Sequence, residues 1–266
     1  MRKNLIIISF LIVTMVQLVM PITVWATGDS KDFKEMTDKE CNDGTVMSHV
    51  WYSSPNAENL DSVPLIVYLH GGGAFSGDGF PSFVKNWGSY GVEGFEAYVL
   101  CPKLPGYNWM WDGDNKAGKG MGFGNKGIQK HLKNLIEHFI DKQKNVDRKN
   151  IILMGHSNGG WGVIQAAINN EDNYFSKFVV LSGTINGVIG DLSTIDSPIV
   201  VMCGEYDNYY KTKGRKYTHD TYYNWKDKIK NQDKLRSIMW PRADHNSYFK
   251  DGFCGDSGMI DGVRNC

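Results

Sequence analysis

The distribution of apolar residues along the chain predicts alternating strands and helices. Six short apolar runs are typical of parallel strands buried on both faces, at 65–69, 97–101, 151–154, 178–181, 199–203 and 237–240. Between the second and third runs, apolar residues recur at helical spacing: Ile128, Leu132, Leu135, Ile136, Phe139 and Ile140. Further helices are expected at 160–169 and 221–231. This order predicts an α/β fold, a doubly wound, mostly parallel sheet with helices on both faces.

The first 26 residues have the pattern of a signal peptide. Arg2 and Lys3 precede an apolar stretch over residues 5–20, and Val24 and Ala26 hold the −3 and −1 positions of a cleavage site. We expect cleavage after Ala26, a secreted product and no membrane association afterwards. The alternative is a retained N-terminal anchor, because the apolar stretch approaches the roughly 20 residues that span a bilayer.

Residues 27–266 are expected to form a single domain. They number 240, which suits one hydrophobic core, and no linker rich in Pro or Ser divides them. The chain has 29 basic and 29 acidic residues, and loss of the leader with its two basic residues leaves a net charge of −2. Basic and acidic residues are interspersed, so the charge favours solubility and gives no indication of a nucleic-acid partner.

The cysteine count is odd, which leaves at least one thiol without a partner in the same chain. The five cysteines are Cys41, Cys101, Cys203, Cys254 and Cys266. Cys203 lies within an apolar run and is expected to be buried and free. The other four can form disulfides. Cys254 and Cys266 flank a short Gly-rich C-terminal segment and are the expected pair, although spacing alone does not define connectivity. No Cys-x-x-Cys or His-rich cluster indicates a metal site, and the Asp-Gly pairs of 251–262 are ordinary turn formers.

The motif with the clearest chemistry is Gly155-His156-Ser157-Asn158-Gly159-Gly160, which directly follows the run 151–154 and precedes a helix. It matches the nucleophile elbow Gly-x-Ser-x-Gly in its required context. Small flanking residues permit a tight turn that lifts the serine hydroxyl into the open. The helix N-terminus beneath it favours negative charge on a bound oxygen. The motif therefore predicts Ser157 as a nucleophile.

A second glycine-rich motif, His70-Gly71-Gly72-Gly73, follows the run 65–69. Glycine lets the backbone approach a bound carbonyl oxygen closely. In the esterase pattern, one N–H of this loop and the N–H of the residue after the nucleophile form the oxyanion hole. Gly72, Gly73 and Asn158 are therefore the candidate donors, and His70 is expected to make structural hydrogen bonds.

A serine nucleophile needs a histidine base and a carboxylate that orients the base, in the chain order Ser, acid, His. Asp207 lies in the loop after the run 199–203, far enough from the strand to turn toward the serine. Glu205 is the alternative acid, closer to the strand end. His245 follows the last run, whereas His219 precedes it and is interpreted as a surface residue. The predicted triad is Ser157, Asp207 and His245.

Aromatic residues cluster in two places that are expected near this site. Trp109 and Trp111 lie in the Trp- and Gly-rich segment 105–126, and Tyr206 adjoins the acid. They are candidates to line a groove for an aromatic, sugar or polymer substrate. Equally, they can simply cover the core. The sequence leaves open whether segment 105–126 is a lid.

These motifs resemble the secreted esterase branch of the α/β-hydrolase superfamily that includes feruloyl esterases and poly(3-hydroxybutyrate) depolymerases. The similarity spans about residues 63–247 and is most specific at the elbow. It implies hydrolysis of carboxylic esters by Ser157, Asp207 and His245, on a small-molecule or polymer-borne substrate, without a metal or organic cofactor.

Two other classes of function use the same residues differently. A serine peptidase or amidase uses the same triad and oxyanion hole, although no propeller or other peptide-selecting domain is recognised in the sequence. A catalytically silent binding module retains only the fold, although the complete set of triad residues and glycine loop argues against such decay.

Overall fold

A computed structural model describes residues 36–40, 46–54, 56–71, 96–102, 126–183, 188, 190–207 and 228–245. Its strands are β1 Met36–Glu40, β2 Val46–Ser53, β3 Val63–Leu69, β4 Tyr98–Pro102, β5 Val146–His156, β6 Lys177–Leu181, β7 Ile199–Gly204 and β8 Leu235–Trp240. Its α-helices are α1 Lys126–Lys142 and α2 Asn158–Ile168. Short 3₁₀ helices lie at Ala57–Asn59, Glu171–Asn173, Leu192–Thr194 and Gln232–Lys234. The predicted leader lies outside the described residues.

These strands form one sheet in the order β1-β2-β4-β3-β5-β6-β7-β8. The neighbours from β4 to β8 are parallel, whereas β2 runs antiparallel to β1 and β4. The carboxyl ends of the parallel strands are aligned, since Leu69 pairs with Gly155 and Cys203 with Met239. The segments that follow β3, β5, β7 and β8 therefore leave the sheet at one edge, where α/β sheets place their ligand sites. The predicted mostly parallel α/β architecture is confirmed.

Strands β1 and β2 are not predicted from the sequence. β1 reads Met-Thr-Asp-Lys-Glu and lies at the edge of the described sheet, where a charged strand is favourable and an apolar run is not required. β2 mixes apolar residues with buried polar ones such as His49 and Ser53, which interrupts its apolar pattern. β5 begins at Val146 instead of residue 151, because polar residues 147–150 continue the strand beyond the buried core.

Helix α1 packs the predicted apolar stripe against the sheet. Its buried residues are Leu132, Leu135, Ile136, Phe139 and Ile140. Phe139 contacts Trp51 of β2 and Tyr98 of β4 edge to face, with ring centroids 5.4 and 5.8 Å apart. Such aromatic pairs add about 0.5–1.5 kcal/mol each beyond the area they bury. These contacts hold α1 against β2 and β4.

Both faces of the central strands are buried, as a doubly wound sheet requires. In β3, Leu65 and Val67 belong to the cluster that contains α1 and α2, whereas Ile66 and Tyr68 pack on the opposite face. The helix expected at 221–231 lies mostly outside the described residues. No helix in the described part of the chain combines the length and apolar character that crossing a bilayer requires.

The two described cysteines are both buried free thiols. Cys203 is buried and free as predicted, and burial followed by the nearby charge of Asp207 raises the pKa of its thiol. For Cys101 the sequence allowed a disulfide. Its thiol is free, because its side chain packs in the apolar layer with Ile66 and Val99. Cys41, Cys254 and Cys266, including the expected pair, lie outside the described residues.

Candidate active site

Ser157 lies on a sharp turn between β5 and α2. Its backbone has φ 54° and ψ −111°, a conformation that is unfavourable for any residue with a side chain. Two backbone hydrogen bonds hold it there: its N–H donates to the carbonyl of Leu181 at 2.9 Å, and its own carbonyl accepts from the N–H of Trp161 at 3.1 Å. The strained turn is thus tied to β6 on one side and to the first turn of α2 on the other.

Glycines flank this serine because the neighbouring backbone leaves no room for a side chain. A Cβ atom on Gly159 would overlap the carbonyl oxygen of Leu69 in β3 and lie 2.5 Å from its carbon. A Cβ on Gly155 would lie 2.5 Å from the carbonyl of Gly159. The elbow therefore packs α2 directly onto the end of β3, as the sequence motif predicts.

The structure brings the three predicted triad residues into one chain of hydrogen bonds. His245 Nε2 lies 2.9 Å from Ser157 Oγ, and His245 Nδ1 lies 2.9 and 3.0 Å from the two carboxylate oxygens of Asp207. Because an ionised carboxylate only accepts, Nδ1–H donates to it, and Nε2 accepts from the serine hydroxyl. All three residues are buried, and Asp207 is wholly so. This is the geometry in which a serine hydroxyl can lose its proton to an oriented imidazole.

The loops after β7 and β8 hold each other in place. The N–H of Tyr206 donates to the carbonyl of Ala243 at 2.8 Å, and the N–H of Glu205 donates to the carbonyl of Trp240 at 2.9 Å. The Glu205 carboxylate accepts from the N–H of Arg242 at 2.9 Å, at a residue with φ 59°. Glu205, the alternative acid, therefore contacts the backbone of the loop that carries the base and has no hydrogen bond to His245 among the contacts described.

His156 is a further residue of the site that sequence reasoning missed. Its Nε2–H donates to the backbone carbonyl of His245 at 2.7 Å, and the two imidazole rings are 4.9 Å apart between centroids. Burial, with the neighbouring charge of His245 second, lowers the pKa of His156 to about 3. The ring is therefore neutral near neutral pH. The only sequence signal for it is its position directly before the nucleophile.

The structure describes part of the predicted oxyanion hole. Asn158 is the first residue of α2, so its N–H points out of the N-terminal end of the helix beside Ser157. His70 is buried, and its Nδ1–H donates to the carbonyl of Gly71 at 2.9 Å, the structural role expected for it. A Cβ on Gly71 would lie 3.2 Å from the Cβ of Ser157. The glycine loop thus begins against the nucleophile, and Gly72 and Gly73 lie outside the described residues.

The candidate substrate-contacting residues are mostly outside the described part of the chain. Tyr206 is described, and its side chain is 58% exposed next to the acid. Trp109 and Trp111 lie outside, as does His219. In the part that the structure describes, no group of three His, Cys, Asp or Glu side chains is arranged to hold a metal ion.

The chain resembles known proteins in its fold. No protein-family model matches it, and no curated protein matches its sequence. Among solved structures, a thermostable esterase is similar with a TM-score of 0.63 and 19% identity, over 89% of this chain and 64% of that one. The Pyrococcus horikoshii acylaminoacyl peptidase has a TM-score of 0.57 and 17% identity, over 81% of this chain and 38% of the peptidase. An S-formylglutathione hydrolase from Agrobacterium tumefaciens has a TM-score of 0.59 and 15% identity, over 86% and 94%.

This chain thus spans less than two thirds of the thermostable esterase and of the peptidase, and nearly the whole of the S-formylglutathione hydrolase. The identities are low, so the likeness concerns the fold. Taken with the sheet order and the strand–serine–helix turn at Ser157, it shows that the chain has the fold of the α/β-hydrolase superfamily.

Proposed function

We propose that this protein is a secreted serine esterase that hydrolyses carboxylic esters through an acyl-enzyme on Ser157. The observation that carries the proposal is the hydrogen-bonded chain from Ser157 Oγ through the His245 ring to the buried carboxylate of Asp207. Secretion rests on the leader, with its apolar stretch and the cleavage pattern that ends at Ala26.

In the acylation half, Ser157 Oγ attacks the ester carbonyl carbon while His245 Nε2 takes the hydroxyl proton. Asp207 stabilises the resulting imidazolium through its hydrogen bonds to Nδ1–H. Collapse of the tetrahedral intermediate breaks the bond to the alcohol oxygen, and His245 returns its proton to that leaving alcohol. The products of this half are the free alcohol and an acyl group on Ser157.

In the deacylation half, a water molecule replaces the alcohol. The water oxygen attacks the acyl carbon while His245 takes a proton from the water. When the second tetrahedral intermediate collapses, the bond to Ser157 Oγ breaks and His245 returns the proton to that oxygen. The carboxylic acid is released. Both tetrahedral intermediates carry a negative oxygen, for which the N–H of Asn158 and one N–H of Gly72 or Gly73 are the proposed donors. The N-terminal end of α2 adds a favourable dipole at the same place.

The same machinery can act on amides, but the sequence motifs resemble those of secreted esterases. Esters are also the easier substrates, because an alcohol leaves more readily than an amine. A small-molecule or polymer-borne ester is therefore the proposed substrate.

The test compares hydrolysis of matched acyl p-nitrophenyl esters and acyl p-nitroanilides by the secreted protein, together with labelling by a fluorophosphonate probe. We expect one probe molecule on Ser157, located by peptide mass mapping, and a higher kcat/KM on each ester than on its anilide. Faster anilide hydrolysis would identify an amidase. A folded protein that neither reacts with the probe nor hydrolyses either series would be a binding module.

The assignment of the acid can be tested with two variants in which a carboxylate is replaced by the amide of the same size. Asp207→Asn is expected to lower kcat by roughly 10³- to 10⁴-fold, because the amide no longer holds the base in the tautomer that accepts the serine proton. Glu205→Gln keeps an oxygen that can accept from the N–H of Arg242, so its kcat should stay of the same order as that of the unmodified enzyme. A reversed order, measured on a p-nitrophenyl ester, would make Glu205 the acid.

A further inference from the structure

His156 makes a contact that joins the nucleophile's strand to the catalytic base. Its ring nitrogen Nε2 lies 2.7 Å from the backbone carbonyl oxygen of His245, 89 residues further along the chain. Since a carbonyl oxygen only accepts, this nitrogen carries the proton and donates it. The hydrogen bond is buried, because His156 and His245 are 4% and 8% exposed.

This contact closes a small ring of interactions around the reacting atoms. Ser157 follows His156 in the chain, His156 binds the carbonyl of His245, and the ring of His245 receives the hydroxyl of Ser157 at 2.9 Å. The position of the base relative to the nucleophile is thus defined through its own peptide group as well as through its side chain. Asp207 orients the imidazole from the far side.

Three described contacts tie the loop after β8, which carries the base, to the loop after β7, which carries the acid. They involve the backbone of Trp240, Arg242 and Ala243, all before His245 in the chain. The main chain of the base itself accepts a hydrogen bond from His156, the residue directly before the nucleophile. The base therefore has one set of contacts that fixes it relative to the acid and a separate contact that fixes it relative to the nucleophile.

The His156 ring is itself held from its other side. A Cβ on Gly71 would lie 2.7 Å from His156 Nδ1, so the start of the glycine loop packs directly against this nitrogen. The ring thus lies between the loop after β3 and the loop after β8. Its burial keeps it neutral near neutral pH, so it can donate from Nε2 without placing a second positive charge beside the imidazolium of His245.

We infer that His156 is a positioning residue, which sets the distance between the base His245 and the nucleophile Ser157 by donating a hydrogen bond to the His245 main chain. The inference rests on the proposed esterase function. Misplacement of a catalytic group by about 1 Å can cost on the order of 100-fold in rate. The loss of His156 should therefore appear in kcat, whereas KM for a small ester should change little.

The experiment measures kcat and KM on a short-chain p-nitrophenyl ester for His156→Leu, which fills similar volume without a donor, and for His156→Gln, whose amide nitrogen can reach the place of Nε2. We expect kcat of the Leu variant to fall roughly 10- to 100-fold and the Gln variant to recover most of that loss. His49→Leu controls for the loss of a buried histidine, since His49 lies on β2, three strands from β5 in the sheet.

A double variant separates positioning from a general effect on folding. If His156 acts through the base, adding His156→Leu to His245→Ala should cost no more than about twofold in the remaining rate, because there is no base left to misplace. An equal loss in both backgrounds, or a Leu variant with unchanged kcat, would overturn the inference.

If the Leu variant does not fold, His156→Gln is compared with His156→Asn, whose shorter amide cannot reach the carbonyl of His245. Equal kcat for these two variants would overturn the inference. Absence of esterase activity and of probe labelling in the unmodified protein would instead refute the proposed function.

Discussion

Ser157→Ala is expected to lower kcat on a carboxylic ester by roughly 10⁴- to 10⁶-fold. The variant lacks the oxygen that attacks the ester carbonyl, and His245 loses the hydroxyl from which it takes a proton. What remains is the contribution of substrate binding and of the oxyanion donors. The measurement is the steady-state rate of p-nitrophenyl ester hydrolysis at saturating substrate concentration.

The fold should survive this change, since both hydrogen bonds that hold the turn come from the main chain. The N–H of residue 157 still reaches Leu181, and its carbonyl still accepts from Trp161. Alanine and serine also bear the positive φ at comparable cost. The unfolding midpoint should therefore move little while activity disappears.

Ser182→Ala is a matched control for this experiment. Ser182 is also a buried serine with positive φ, 47°, and it directly follows the neighbouring strand β6. Since it has no proposed part in the chemistry, its loss should leave kcat of the same order. The fluorophosphonate probe shows whether a sample of Ser157→Ala still contains unmodified enzyme. If the variant is active and the probe labels no unmodified enzyme, the mechanism is wrong.

The parts of the fold that sequence reasoning predicts are those governed by burial alone. β3, β6 and β7 are buried on both faces, so nearly every residue is apolar and the run marks the strand. β1 is different, because an edge strand can be polar. The start of β5 at Val146 also depends on pairing with Val63 and not on local apolar character.

In the candidate site, too, some residues can be predicted from the sequence and others cannot. Ser157, Asp207 and His245 are predictable because each occupies a position that the chain order and the strand ends define, and β7 and β8 are neighbours in the sheet. The contact between His156 and the carbonyl of His245 is not, because it depends on the path of a loop after a strand far along the chain. The role of Glu205 is hidden for the same reason, since its partner is a backbone N–H and leaves no mark on residue type.

Gly159→Ala is expected to destabilise the protein by about 3 kcal/mol or more and to reduce activity with it. The added Cβ would overlap the carbonyl oxygen of Leu69 and lie 2.8 Å from the carbonyl oxygen of His70. Both are backbone atoms at the end of a buried strand, so neither can swing aside as a side chain would. Any shift that makes room also moves the start of the glycine loop away from Ser157.

The sign of this effect is informative because helix propensity predicts the opposite. Gly159 lies in the first turn of α2, and in an unconstrained helix interior alanine is more favourable than glycine by about 1 kcal/mol. A destabilised variant therefore measures the close packing of α2 on β3. The measurement is the urea unfolding midpoint by circular dichroism, with m-values checked for constancy.

Two neighbouring glycines provide graded controls. A Cβ on Gly155 would lie 2.5 Å from the Gly159 carbonyl, and one on Gly160 would lie 2.9 Å from the Cα of Gly183. We expect the loss of stability to fall in the order Gly159→Ala, Gly155→Ala, Gly160→Ala, since the overlap with fixed backbone decreases in that order. A Gly159→Ala protein with a raised midpoint and full activity would mean that the elbow does not pack against β3 as closely as the geometry indicates.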